Sequence, residues 1–136
     1  MTRDVKPFSS IERAMLEIIV RDAEVPREQV GGDFGFDPAT MDYYVRIDRV
    51  PGGSSTGLQG DFIIEIEVFG QNYGAAESLA FRLEALALGY PHVVEVDGRK
   101  TVFDTVSQNA GVADLPWEDD STYRLGATYV ITARRR

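Results

Sequence analysis

DFIIEIEVFG, residues 61–70, is the stretch on which the fold turns. Side chains along a β-strand point alternately to opposite faces. Phe62, Ile64, Ile66 and Val68 therefore share one face, and Ile63, Glu65, Glu67 and Phe69 the other. The first set reads as a core face. The second sets two carboxylates among apolar neighbours, which fits either an acid–base pair or an acidic surface turned toward something else. Upstream, DYYVRIDRV (42–50) alternates in the same way, with Tyr43, Val45 and Ile47 opposed to Tyr44, Arg46 and Asp48. The two stretches predict an antiparallel hairpin. Between them PGGSSTGLQG (51–60) is longer than a tight turn needs, and its Gly and Ser content predicts a long, mobile tip.

Outward from this hairpin the pattern changes period. Ser9 and Glu12 have capping-box spacing, and Ile11, Ala14, Met15, Ile18 and Ile19 follow at helical intervals to about Asp22. Val25-Pro26 ends that helix, and residues 23–41, rich in Gly, Asp and Pro, read as an excursion over the surface. Asn72 is placed to cap a second helix reaching about Leu88, with Ala76, Leu79, Ala80, Leu83, Leu86 and Ala87 as its buried stripe and Gly89 and Pro91 as its stop. Asp97-Gly98 between 92–96 and 99–107 is a type I′ hairpin signal. Residues 122–134 alternate again, Tyr123, Leu125, Ala127, Tyr129 and Ile131 against Thr122, Arg124, Thr128 and Thr132. Helix, two strands, helix, hairpin and strand make an α+β fold, a mostly antiparallel sheet with two helices packed on one face. At 136 residues, 1–136 is read as a single domain.

Bulk properties narrow the function. The formal net charge of −8 argues against a protein that grips nucleic-acid phosphates. There is no cysteine, which removes disulfides and thiolate metal sites. No apolar run approaches the roughly 20 residues that span a bilayer, and the N-terminal MTRDVKPFSS has no apolar stretch of the kind an export signal carries. Charge is segregated, however: ADLPWEDD (113–120) is acidic, whereas residues 133–136 read Ala-Arg-Arg-Arg.

No catalytic set assembles from these residues. The one histidine, His92, follows Gly-Tyr-Pro with no second His or Cys to share a metal, and reads as structural. GGDFGF (31–36) lacks the strand before and helix after that a phosphate loop requires. Glu65 and Glu67 remain as the enzyme reading, but acids at period two beside Ile63 and Phe69 suit a protein surface or a pore better than a cleft. Trp117, the only tryptophan, reads either as a loop anchored to the core or as an interface anchor. The expectation is a protein that is not an enzyme, with no catalytic, cofactor-binding or metal site.

Three segments carry a resemblance: TVFDTVSQN (101–109), LPWEDD (115–120) and RLGATYVITARR (124–135). Together with the layout of the first half, they resemble tail terminator proteins of long-tailed bacteriophages, especially those of actinobacteria. The resemblance implies a virion protein at the neck end of the tail, assembled in the host cytoplasm. It would form a homo-oligomeric ring, a hexamer, that caps the tail tube, ends its polymerisation and docks to head-completion or connector proteins. Genomic DNA would pass through the lumen without specific binding, and no membrane or cofactor is implied. Within the matched segments, Leu115, Trp117, Glu118, Asp119, Asp120, Arg124, Arg134 and Arg135 are the expected protein interface. A neighbouring head–tail connector or head-completion adaptor is the alternative.

In that setting Glu65 and Glu67 are expected to face the lumen, where negative charge lets duplex DNA slide without sticking. Both are expected to be solvent-exposed, so that the fold survives their replacement by lysine.

Overall fold

The computed structural model describes residues 10–55, 59–118 and 121–135. Two helices, α1 (Ile11–Asp22) and α2 (Tyr73–Leu88), accompany six strands: β1 (Val30–Gly31), β2 (Tyr43–Ser55), β3 (Gln59–Gly70), β4 (His92–Val96), β5 (Arg99–Leu115) and β6 (Tyr123–Arg135). They form one sheet of order β1-β2-β3-β6-β5-β4, antiparallel throughout except for the short parallel β1–β2 pair. The α+β class is the one expected.

Phe62, Ile64, Ile66 and Val68 of β3 are buried, as are Leu125, Ala127, Tyr129 and Ile131 of β6 beside them. Helix α2 lies over β3, β6 and β5, while α1 touches both β2 and β4, near opposite edges of the sheet. The sheet therefore curls around its helices, and the alternating apolar residues close into one core. Burial of this kind contributes about 25 cal/mol per Å² of apolar surface removed from water.

Local signals account for most element ends. Asn72 Oδ1 accepts from the Ala75 amide at 3.0 Å and starts α2. Asp97 and Gly98 both have positive φ, the type I′ turn joining β4 to β5. Helix α1 begins one residue later than the capping box suggested: Ser10, not Ser9, is the N-cap, its Oγ accepting from the Arg13 amide at 3.2 Å. Ser9 lies outside the described residues.

Three stretches depart from expectation. The ladder does not stop at Val50: β2 and β3 stay paired through Ser54↔Asp61 and Ser55↔Gly60, with a register shift after Val50. Pro51, Gly52 and Gly53 form that irregularity, Gly52 and Gly53 at positive φ, so the glycines mark a bulge inside the hairpin rather than a long tip. Only residues 56–58 of the expected tip lie outside the described residues. Strand β5 runs to Leu115 instead of ending near 107, through register shifts at 103–105, 108–110 and 110–113 that erase its period-two pattern. And the segment 23–41 is not merely surface: Val25, Val30 and Phe36 are buried, and Val30 pairs with Val45.

Candidate functional site: the open face of the sheet

The sheet face away from the helices is built in rows by the strand register. Tyr44, Phe69, Arg124 and Leu115 align across β2, β3, β6 and β5; Arg46, Glu67, Gly126 and Ala113 form the next row; Asp48, Glu65, Thr128 and Ala110 the one after. The first row is aromatic, the second an ion cluster, the third acidic.

Glu67 is corrected from an exposed acid to a fully buried one, at 0% exposure. Arg46, directly across the β2–β3 ladder, donates to Glu67 Oε1 from Nε at 2.9 Å and lies 2.8 Å away through Nη2. Arg124 Nε donates to Oε2 from the opposite side. A carboxylate removed from water is stable only when paired and hydrogen-bonded, and here each oxygen has its own guanidinium. Gly126 makes the room: a Cβ there would fall 2.6 Å from Leu115 Cδ1 and 3.4 Å from Glu67 Cγ. The expectation that lysine is tolerated at both glutamates therefore fails at position 67, where it would meet two arginines.

Glu65 is only partly covered, as a surface acid would be. Its carboxyl is held above the usual glutamate range, first by desolvation, then by the charge of Glu67 and a hydrogen bond with it. Asp48 faces it across the ladder. The carboxylates of Asp48, Glu65 and Glu67 lie within 4.8 Å of one another, a spacing that suits a cation. Arg46, however, sits on Glu67 and 3.5 Å from Asp48, so positive charge already fills the space between them. The arrangement is an ion cluster within a sheet, with Arg46 between Glu67 and Asp48.

The second cation of the cluster also holds the aromatic row. Arg124 Nη1 donates to the Pro116 carbonyl at 3.2 Å, and its guanidinium stands 5.6 Å from the centre of the Trp117 ring. Trp117 and Phe34 each lie 4.9 Å, centre to centre, from buried Phe69 and from one another. Phe36, Tyr44 and Met41 pack on the same cluster. The glycine pattern of 31–36 follows from this: a Cβ on Gly35 would stand 2.8 Å from the Tyr44 ring, and one on Gly31 2.5 Å from its hydroxyl. The chain crosses Tyr44 too closely for any larger residue.

The expected interface residues divide into two groups. Leu115, Trp117, Glu118 and Arg124 come together at one end of the sheet, Trp117 half-buried and Glu118 exposed. Asp119 and Asp120 lie outside the described residues. Arg134 and Arg135 are at the far end of β6, where Arg134 pairs with Asp104 at 3.0 Å. His92 is a core residue, buried and edge-on to Phe103. Phe34, Tyr44 and Arg46 join the site from outside the expected residues, whereas Phe69 is the apolar neighbour expected on the face of Glu67. Arg46 was within reach of the sequence, since aligning the two hairpin strands puts it opposite Glu67.

No family model matches the chain, and no curated protein does. Among solved structures, the fold is similar to a chain in the virion of a native gene transfer agent (GTA) particle, with a TM-score of 0.62 and 12% identity over 91% of this chain and 94% of that one. A second solved chain aligns at a TM-score of 0.49 and 16% identity over 92% of this chain and 89% of that one, too loosely to bear on the fold.

Proposed function

We propose that the chain is a non-enzymatic structural protein of a phage-type particle. In this reading it assembles into a hexameric ring that caps the tail tube, ends its polymerisation and joins the tail to head-completion proteins. The observation that carries the reading is the shared fold with a chain of a gene transfer agent virion across nearly the whole of both chains. The tail-terminator resemblance of 101–109, 115–120 and 124–135 supplies the finer assignment. The open face agrees with it chemically, because its one buried carboxylate, Glu67, is held by Arg46 and Arg124 as part of the sheet's own structure.

In the ring, the acids offered to a DNA-filled lumen are Glu65 and Asp48, since the charge of Glu67 is spent on Arg46 and Arg124. Glu65→Lys alone therefore replaces the double substitution as the test. It keeps the fold and gives the ring an affinity for duplex DNA that falls steeply with added salt.

Sedimentation and negative-stain imaging of the purified protein test the assembly. A closed ring that arrests tail-tube polymerisation is expected. A protein that stays monomeric, or that binds a portal-side adaptor and leaves tube growth unchanged, belongs to the connector class instead.

A further inference from the structure

We propose that the end of the sheet carrying Phe34 and Trp117 docks a partner protein that presents a large apolar side chain ringed by lysines and arginines. The inference goes beyond the ring reading and does not depend on it.

Phe34 is 44% exposed although it is a large apolar ring, and it stands on a rigid base: Phe69 beneath it, Trp117 beside it, Phe36 and Tyr44 in the same cluster. Trp117 is fixed in turn by Arg124, and Arg124 by buried Glu67. An exposed aromatic whose position is already set loses little freedom on binding, which favours it as an anchor.

Charge decides what can sit there. Asp33 and Glu118 are the chain neighbours of Phe34 and Trp117, and both are exposed. Neither has a cationic partner among the described residues. Asp37, in the same segment as Phe34, bonds among the described residues only to the backbone and hydroxyl of its own turn. The two cations nearby, Arg46 and Arg124, are both engaged on Glu67. An apolar centre with an uncompensated acidic rim selects a partner of the opposite pattern, and repels nucleic-acid phosphates and anionic lipid.

The single tryptophan makes the patch its own reporter. The probe is the capped hexapeptide Lys-Arg-Leu-Phe-Arg-Lys, titrated into the full chain at low salt while Trp117 emission is followed. One control replaces Leu-Phe with Ser-Gly, and another replaces every base with Glu. A saturable change is expected for the probe alone, weakened at least tenfold by Phe34→Ala and, separately, by the pair Asp33→Asn and Glu118→Gln. All these positions are exposed, and unchanged thermal melts verify the variants. Equal responses to the probe and either control, no response to the probe, or a response indifferent to Phe34→Ala would overturn the proposal. Sedimentation of the same samples keeps the two readings apart. Docking by a chain that forms no ring leaves this patch standing and removes the tail-terminator assignment, and a ring without docking does the reverse.

Discussion

Ile64 and Glu67 sit three residues apart on β3, on opposite faces of the sheet, and both are fully buried. Ile64 is covered by the helical layer, where any apolar side chain of suitable volume would serve. Glu67 is covered by two arginines, an aromatic cluster and a loop, and its burial holds only while both guanidiniums stay in place. On the helix side, cohesion is spread over many interchangeable contacts. On the open side it passes through a few that are not.

The largest effect that tests this contrast is Glu67→Lys. It gathers three cations where a carboxylate balanced two, and loss of cooperative unfolding by circular dichroism is expected. A folded variant would mean the cluster is dispensable. Phe103→Ala, at a fully buried position within the core, provides the benchmark at about 4 kcal/mol by chemical denaturation. Glu67→Ala is expected to cost about 3 kcal/mol, because it takes from two partly buried arginines the carboxylate they share. A cost below about 1 kcal/mol would place Glu67 with ordinary surface ion pairs and erase the contrast. Trp117→Ala should cost about 2 kcal/mol, less than a core aromatic because the ring is half-exposed. The same variant should loosen whatever docks beside Phe34, which a full core role would not predict.

The smallest effect is the most discriminating. Glu65 holds its proton more tightly in the folded protein than in the unfolded chain, whose ordinary value is 4.5. The native state then carries the extra proton between the two values, so stability falls as pH rises through that window and stays lower above it. Glu65→Gln removes this loss. It should raise stability at neutral pH by about 0.5 kcal/mol, the scale of like charges set opposite in a ladder, and the gain should vanish below about pH 4. Parallel stability curves for the two proteins would show that neither burial nor Glu67 raises the Glu65 carboxyl.

The covered face was legible because hydrophobic periodicity reports it directly, in 61–70 and 123–133, and because Asn72 and Asp97-Gly98 are short-range signals that act alone. The open face was not, for a physical reason. Period two puts Glu67 on one face with Glu65, but the polarity of a side chain does not by itself report its exposure. The burial of a charge depends on where its counter-ions lie, and Arg124 is distant in sequence. The segment 31–36 was illegible likewise, since Gly31 and Gly35 answer to the Tyr44 ring and to no motif of their own. In β5 the bulges removed the alternation that would have extended the strand. Of the expected interface residues, Leu115, Trp117, Glu118 and Arg124 lie together at one end of the sheet; the aromatics that pack on Trp117 come from separate segments and leave no local pattern.

Strand order carries a consequence for how the protein is made. β6 is the last of the six strands in the chain, yet it lies between β3 and β5 in the sheet, with Gln59 paired to Arg134 and Gly70 to Tyr123. As the chain leaves the ribosome, α1 and β1, then the β2–β3 hairpin and α2, emerge before β6, with one side of β3 uncovered. They wait through the synthesis of β4 and β5, and nothing closes the sheet until residues 123–135 are free of the exit tunnel. Over that interval the nascent chain offers an open strand edge to its neighbours on the same message. A chain that ends before Tyr123 lacks the strand that covers this edge of β3, and an uncovered strand edge is a template for pairing with another chain.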